Sequence, residues 1–223
     1  MTSSPLLACV DVQLDLGGRA VLTGLNFEVE SGAVGVVRGP SGSGKTSLFN
    51  LAMGLIHPDS GKIFVAGRDL ADLDKRELAR MRNREVGTIF QAYNLVVDST
   101  AEENVMLPSL IGGWPEDPSL ARQCLERVGM LDHCDDRAGA LSGGERQRLA
   151  VARSLYTKPL LLLADEPTGN LDNAAARRVI DALRELHTDG TTVLVASHDR
   201  LVAETLPVLL ELGGKHCGEP VDV

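Results

Sequence analysis

The chain has 223 residues, enough to bury a sizeable core as one large domain or two closely joined subdomains. A content of 43% hydrophobic and 24% charged residues is that of a soluble globular protein. The net charge of −9 argues against a generally basic nucleic-acid binder, and the apolar run at residues 160–164 is far too short to span a bilayer.

Residues 10–16 and 25–29 alternate apolar and polar side chains, as half-buried antiparallel strands do. Residues 33–37 (AVGVV) form a short apolar run suited to a buried parallel strand. It leads into Gly39-Pro40-Ser41-Gly42-Ser43-Gly44-Lys45-Thr46, which fits the phosphate-loop pattern G-x-x-x-x-G-K-[ST] at every fixed position. Glycines let successive backbone N–H groups turn inward toward phosphate oxygens. Lys45 adds a positive charge for the terminal phosphates, and the Thr46 hydroxyl can ligate Mg²⁺. Residues 47–53 read as a helix whose positive end faces the bound anion. The alternative, a flexible Gly/Ser turn, does not account for the strand before it and the helix after it. His57-Pro58-Asp59-Ser60-Gly61 is a turn. A strand at 62–65, a charged helix at 74–84 and an apolar strand at 86–90 follow, the last ending at Gln91.

From residue 92 to about 156 the texture is helical. Thr100 and Glu103 form a T-x-x-E capping box, Gly112-Gly113-Trp114-Pro115 breaks the segment, and residues 118–128 resume a helical pattern. Ser142 and Glu145 make a second capping box for a helix running to Tyr156. Strand–helix alternation then returns, with a strand at 160–164, a helix at 173–187 and a strand at 192–196. The first of these strands ends in Asp165 and Glu166, at the edge where open α/β sheets bind ligands. Asp165 is placed to hold Mg²⁺ and Glu166 to polarise an attacking water; the bland alternative is two solvated acids opening a turn before Pro167. His198 follows the last strand at the same edge, whereas His57, His133, His187 and His216 have no such placement. Cys9, Cys124, Cys134 and Cys217 form no C-x-x-C pair and read as reduced thiols. With no basic residue in the first five positions, no signal pattern is visible, and the expectation is a cytosolic protein unless a partner holds it at a membrane.

Taken together, the phosphate loop, Gln91, Leu141-Ser142-Gly143-Gly144-Glu145, the LLLLADEP segment ending at Pro167, and His198 resemble an ATP-binding-cassette (ABC) ATPase over essentially the whole chain. The resemblance implies an α/β fold of the P-loop NTPase type. Its parallel-sheet core carries an N-terminal antiparallel β layer and a helical subdomain inserted at about 92–156, within a single domain spanning 1–223. It also implies that two copies pack head to tail with ATP and Mg²⁺ between them. Residues 39–47, including Ser47, would bind the phosphates from one copy, and Ser142, Gly143 and Gly144 from the other. Gln91 matches the loop residue that senses Mg²⁺ and the attacking water. Gly169-Asn170-Leu171-Asp172 matches the segment where subunits meet, and Ser197-His198-Asp199 the switch histidine that reaches the γ-phosphate. The implied catalytic set is Lys45, Gln91, Glu166 and His198, with Thr46, Gln91 and Asp165 at the metal.

Three departures stand out. Leu16 occupies the position where the family stacks an aromatic residue on adenine, which predicts only a modest preference for ATP over GTP. Thr46-Ser47 reverses the common hydroxyl order, and Arg38 stands where a small or apolar residue is usual. The segments around Gln91, residues 103–108 and residues 163–172 are similar to ATPases of the lipoprotein-release, macrolide-export and cell-division type. Those pair with four-span permeases, which implies a peripheral position on the inner face of the cell membrane. A division-site regulator of cell-wall hydrolysis is the second reading. A soluble cassette acting on ribosomes or DNA is disfavoured by the acidic balance.

Overall fold

The computed structural model describes residues 5–169, 171–188 and 190–213. Asn170, His216 and Cys217, named above, lie outside the described residues. In chain order the strands are β1 (Leu7–Leu16), β2 (Arg19–Val29), β3 (Val34–Arg38), β4 (Ser60–Val65), β5 (Arg68–Asp69), β6 (Val86–Ile89), β7 (Leu161–Asp165), β8 (Thr192–Ser197) and β9 (Val208–Glu211). The helices are α1 (Lys45–Ala52), α2 (Lys75–Arg84), α3 (Ala101–Gly112), α4 (Pro118–Arg127), α5 (Gly143–Leu155), α6 (Asn173–Thr188) and α7 (Arg200–Thr205).

Two sheets result. The antiparallel sheet has the order β2-β1-β4-β5, and the parallel sheet has the order β6-β7-β8-β3-β9. The parallel sheet divides two apolar cores, and the period of two along its strands decides which side chain enters which. Leu161, Leu163, Leu194 and Ala196 face α1 and the antiparallel layer, where Leu48, Phe49, Leu7 and Leu25 are buried. Leu162, Ala164, Val193 and Val195 face the opposite side, joining Val105, Leu125, Leu149 and Val179 from the helices. Burial on both faces is why β7 and β8 read as unbroken apolar runs.

Between β6 and β7 the chain builds α3, α4 and α5. Both expected capping boxes are present, Thr100 with Glu103 and Ser142 with Glu145. Asn104, 1% exposed, fastens the preceding loop to α3 by donating to the carbonyls of Val96 and Thr100 and accepting from Val96 N–H. Cys9, Cys124 and Cys134 are free thiols, and burial pushes Cys9 up to about 12 and Cys124 to about 11.

Local differences from the sequence expectation have identifiable causes. β2 begins at Arg19, six residues earlier than its alternation suggests, because it pairs with β1 through register shifts that break the pattern. Helix α1 starts at Lys45, immediately after the loop's last glycine. Neither α7 nor β9 has a long enough pattern to be read. The first is held by its Asp199 cap and the second by pairing with β3.

Candidate active site

The parallel sheet brings the ends of β3, β7 and β8 to one edge. Register pairs Arg38 with Ser197 and Asp165 with Ala196, so the phosphate loop, the two acids and His198 emerge side by side. Arg38 is exposed and lies in register with Glu211 on β9, and nothing in the structure explains its presence before the loop.

The loop is shaped by two glycines. A Cβ at Gly39 would sit 2.5 Å from Ser43 Oγ and 2.6 Å from the Leu212 carbonyl oxygen, so only glycine fits. Gly44 adopts the left-handed conformation (φ 99°) and caps α1 without any side-chain hydrogen bond. The Ser43 hydroxyl is buried in the loop with no partner among the described residues. Lys45 is only 6% exposed, and its Nζ donates to the carbonyls of Gly39 at 2.7 Å and Pro40 at 3.0 Å. The hairpin of β1 and β2 packs on this loop through Val21 and Leu22, which border Gly44. Leu16 is at its tip, half exposed and paired with Arg19.

Across the edge, Thr46 Oγ1 donates to Asp165 Oδ2 at 2.8 Å. Burial raises the Asp165 carboxyl above its ordinary range, reinforced by the neighbouring Glu166 charge and opposed by the Thr46 hydrogen bond and by Lys45. Glu166 takes a left-handed backbone conformation (φ 47°) while its N–H continues the ladder to Ala196 O. A non-glycine residue there costs on the order of 1–3 kcal/mol, and such strain clusters at functional sites. The turn aims the carboxylate back over the sheet edge. Oε1 lies 2.7 Å from His198 Nδ1 and 3.8 Å from Lys45 Nζ, and Oε2 accepts from Ser197 Oγ at 3.1 Å. A carboxylate can only accept, so His198 donates from Nδ1 and leaves Nε2 to serve a second partner. Ser197 Oγ is itself fixed by Asp199 N–H, and Asp199 accepts from Thr168 Oγ1 at 3.0 Å.

The pattern that defines the ABC transporter family matches residues 22–169. This chain belongs to that family. It is an ABC ATPase. The cassette is 44% identical over 195 residues to the lipoprotein-releasing system ATP-binding protein LolD of Alcanivorax borkumensis, with 86% of each chain covered. Over 204 residues it is 40% identical to the cell division ATP-binding protein FtsE of Escherichia coli, covering 90% of this chain and 91% of that one. Among solved structures it is similar to the dimeric bacterial ABC transporter cassette MJ0796, with a TM-score of 0.82 and 31% identity over 92% of this chain and 96% of that one. A post-hydrolysis dimer of MJ0796 bound to ADP and Pi gives a TM-score of 0.83 and 30% identity, covering 96% of this chain and all of that one.

Within the cassette the expected site residues fall into two groups. Residues 39–47, Asp165, Glu166 and His198 form the cluster just described. Gln91, exposed, follows β6 at the same edge, two residues past the Ile89–Ala164 register pair. Ser142, Gly143 and Gly144 form a second group at the start of α5. A Cβ on Gly144 would meet Ala175 and Leu171 at 3.7 and 3.8 Å, beside the start of α6 rather than the phosphate loop. Asp172 stands there too, its carboxylate accepting from Ala175 N–H at 2.8 Å as the cap of α6. Sequence reading missed the relay of Thr168, Asp199 and Ser197 onto Glu166. Its only sequence signal is hydroxyl and acid residues immediately after two apolar strands.

Proposed function

We propose that this cassette is the ATP-hydrolysing subunit of a bacterial ABC export, lipoprotein-release or mechanotransmission complex. Two copies would close head to tail around two ATP and drive a separate four-span membrane permease. The observation that carries the reading is Glu166, held by Ser197 and His198 at the sheet edge beside a phosphate loop that contains Lys45.

The donors present fit the groups this reading requires. Ser43 Oγ is a buried hydroxyl with no partner among the described residues, and α1 begins without a side-chain cap, so the loop offers hydrogen bonds to phosphate oxygens. Thr46 and Asp165 are adjacent oxygen donors of the kind Mg²⁺ takes, and Gln91 follows β6, the strand paired with the one that ends in Asp165. Bound Mg²⁺ would neutralise charge on the phosphates. Lys45 would do the same from within the loop. Glu166 would accept a proton from the attacking water, oriented by His198 and Ser197. Ser142, Gly143 and Gly144 would offer the start of α5 to the γ-phosphate bound by the other copy. The glycines leave that approach open, and the exposure of Ser142 and Gly143 supports it.

No helix among the described residues is long and apolar enough to cross a membrane, and the reading gives that task to the permease. Similarity to LolD at 44% identity supports the lipoprotein-release type. Similarity to FtsE over 90% of this chain supports a second reading, a division-site ATPase acting through a membrane partner that transports nothing. In either case the cassette works at the cytoplasmic face of the membrane, and its net charge of −9 disfavours a nucleic-acid partner.

Glu166→Gln tests the catalytic assignment. Turnover should fall by about 10²- to 10⁴-fold with ATP binding retained, and turnover near the parent's overturns the role. Copurification of the cassette from solubilised membranes should retain an integral protein of four spans. Purification with no membrane protein contradicts the permease assignment.

A further inference from the structure

His133 has no part in the mechanism above, yet the fold places it against the acid that caps α5. It lies in the 3₁₀ turn Leu131–His133 after α4, half-buried. Its Nδ1 is 2.7 Å from Asp136 Oδ2, and its Nε2 is 3.7 Å from Glu145 Oε1. The other Glu145 oxygen, Oε2, accepts from Ser142 N–H at 2.8 Å and from Ser142 Oγ at 2.7 Å. One carboxylate thus joins the imidazole to the first residue of the Ser142–Gly144 group. Hydrogen bonds from Ser142 hold the Glu145 carboxyl below its ordinary range, with the charges of His133 and Arg148 adding to the effect.

Protonation changes what this contact does. A neutral imidazole has one N–H. If Asp136 takes it, a lone pair faces the Glu145 carboxylate. The imidazolium donates to Asp136 and turns its second N–H and its charge toward Glu145, 3.7 Å away. The other charged groups nearby are Arg148 on α5, Asp132 and Asp135 beside His133 in the chain, and the Arg122–Glu102 pair joining α4 to α3.

We propose that His133 is a positioning residue for the Ser142–Gly144 half-site. Its protonated form offsets the Glu145 charge in the first turn of α5 and holds Ser142 for phosphate bound by the opposite copy. The inference rests on the reading that this group meets the second copy's ATP. The Glu145 carboxylate at that helix end repels an incoming triphosphate, and the imidazolium, shared with Asp136, lessens the repulsion. The contact is partly exposed, so the effect is small, about two- to fivefold in dimer affinity, and is greatest at low salt.

The test uses the Glu166→Gln cassette with Mg-ATP, its monomer–dimer equilibrium followed by sedimentation from about pH 5.5 to 8.5. The ATP phosphates titrate in the same range, so the informative quantity is the difference made by position 133. Adding His133→Gln should weaken the dimer about two- to fivefold at the acid end and leave it unchanged at the alkaline end. Adding His133→Arg should hold the dimer at the tight limit throughout. ATP affinity of the monomer and thermal unfolding should not move in either variant, which a merely structural role would not predict. If His133→Gln follows the same curve as its parent, the inference falls and the half-site reading stands. If the Glu166→Gln cassette forms no ATP-dependent dimer at any pH, both fall.

Discussion

At the scale of single residues, the site is built by placing charges where the fold makes them costly. Lys45 is buried, and its ammonium is satisfied by two loop carbonyls. Those bonds order the loop as well as supplying charge. Lys45→Ala should therefore weaken ATP binding by about 10- to 100-fold, the cost of a charge-assisted hydrogen bond, as read by titration calorimetry. Unchanged affinity would contradict the loop assignment. Asp165 gives a prediction of opposite sense. Its carboxyl is raised in the fold, chiefly by burial, so the folded chain holds that proton more tightly than the unfolded chain does. Stability is therefore lost as pH rises from the ordinary value of 3.8 through the raised folded value. Asp165→Asn should raise Tm at pH 7 by roughly 1–3 °C without nucleotide, with the gain vanishing near pH 3.5. A lowered Tm at pH 7 would show that Thr46 and Lys45 outweigh burial.

At the scale of elements, the parts most legible in the sequence were those in which local pattern and tertiary environment agree. β7 and β8 are apolar along residues 161–164 and 193–196 because both faces are covered, and the acids and the histidine follow those runs. The capped starts of α3 and α5 were legible for the same reason. What stayed hidden depends on partners distant in the chain. β9 exists through its pairing with β3, and the first half of β2 through an irregular register with β1. The link from Ser197 to Glu166 spans adjacent strand ends that only the sheet order brings together. Helix α2 offers an independent check on local energetics. Its start is capped by Asp74, which accepts from Arg76 N–H and Glu77 N–H at 2.8 Å each and forms a full capping box with Glu77. Asp74→Ala should cost about 1 kcal/mol in urea unfolding. ATP turnover should not change, since α2 contributes nothing to the sheet edge that holds Glu166.

At the scale of the whole molecule, the two groups of site residues lie in different places on one chain. The phosphate loop, Asp165, Glu166 and His198 share the edge of the parallel sheet, while Gly144 of the Ser142–Gly144 group stands beside Leu171 and Ala175. That the second group serves a site on another copy is implied only by the family resemblance, because no local pattern distinguishes a capping box from one that would also meet a second copy. We propose accordingly that each ATP would be held by a loop from one copy and the start of α5 from the other. Complementation in the Glu166→Gln background tests it most directly. Lys45→Ala disables the loop, and Gly144→Asp places a carboxylate at the start of α5. Neither variant alone should retain ATP through gel filtration. A mixture contains dimers in which an intact loop faces an intact Ser142–Gly144 group, and it should elute as a dimer with ATP bound. A mixture that retains no more ATP than the two separate variants would contradict the shared site.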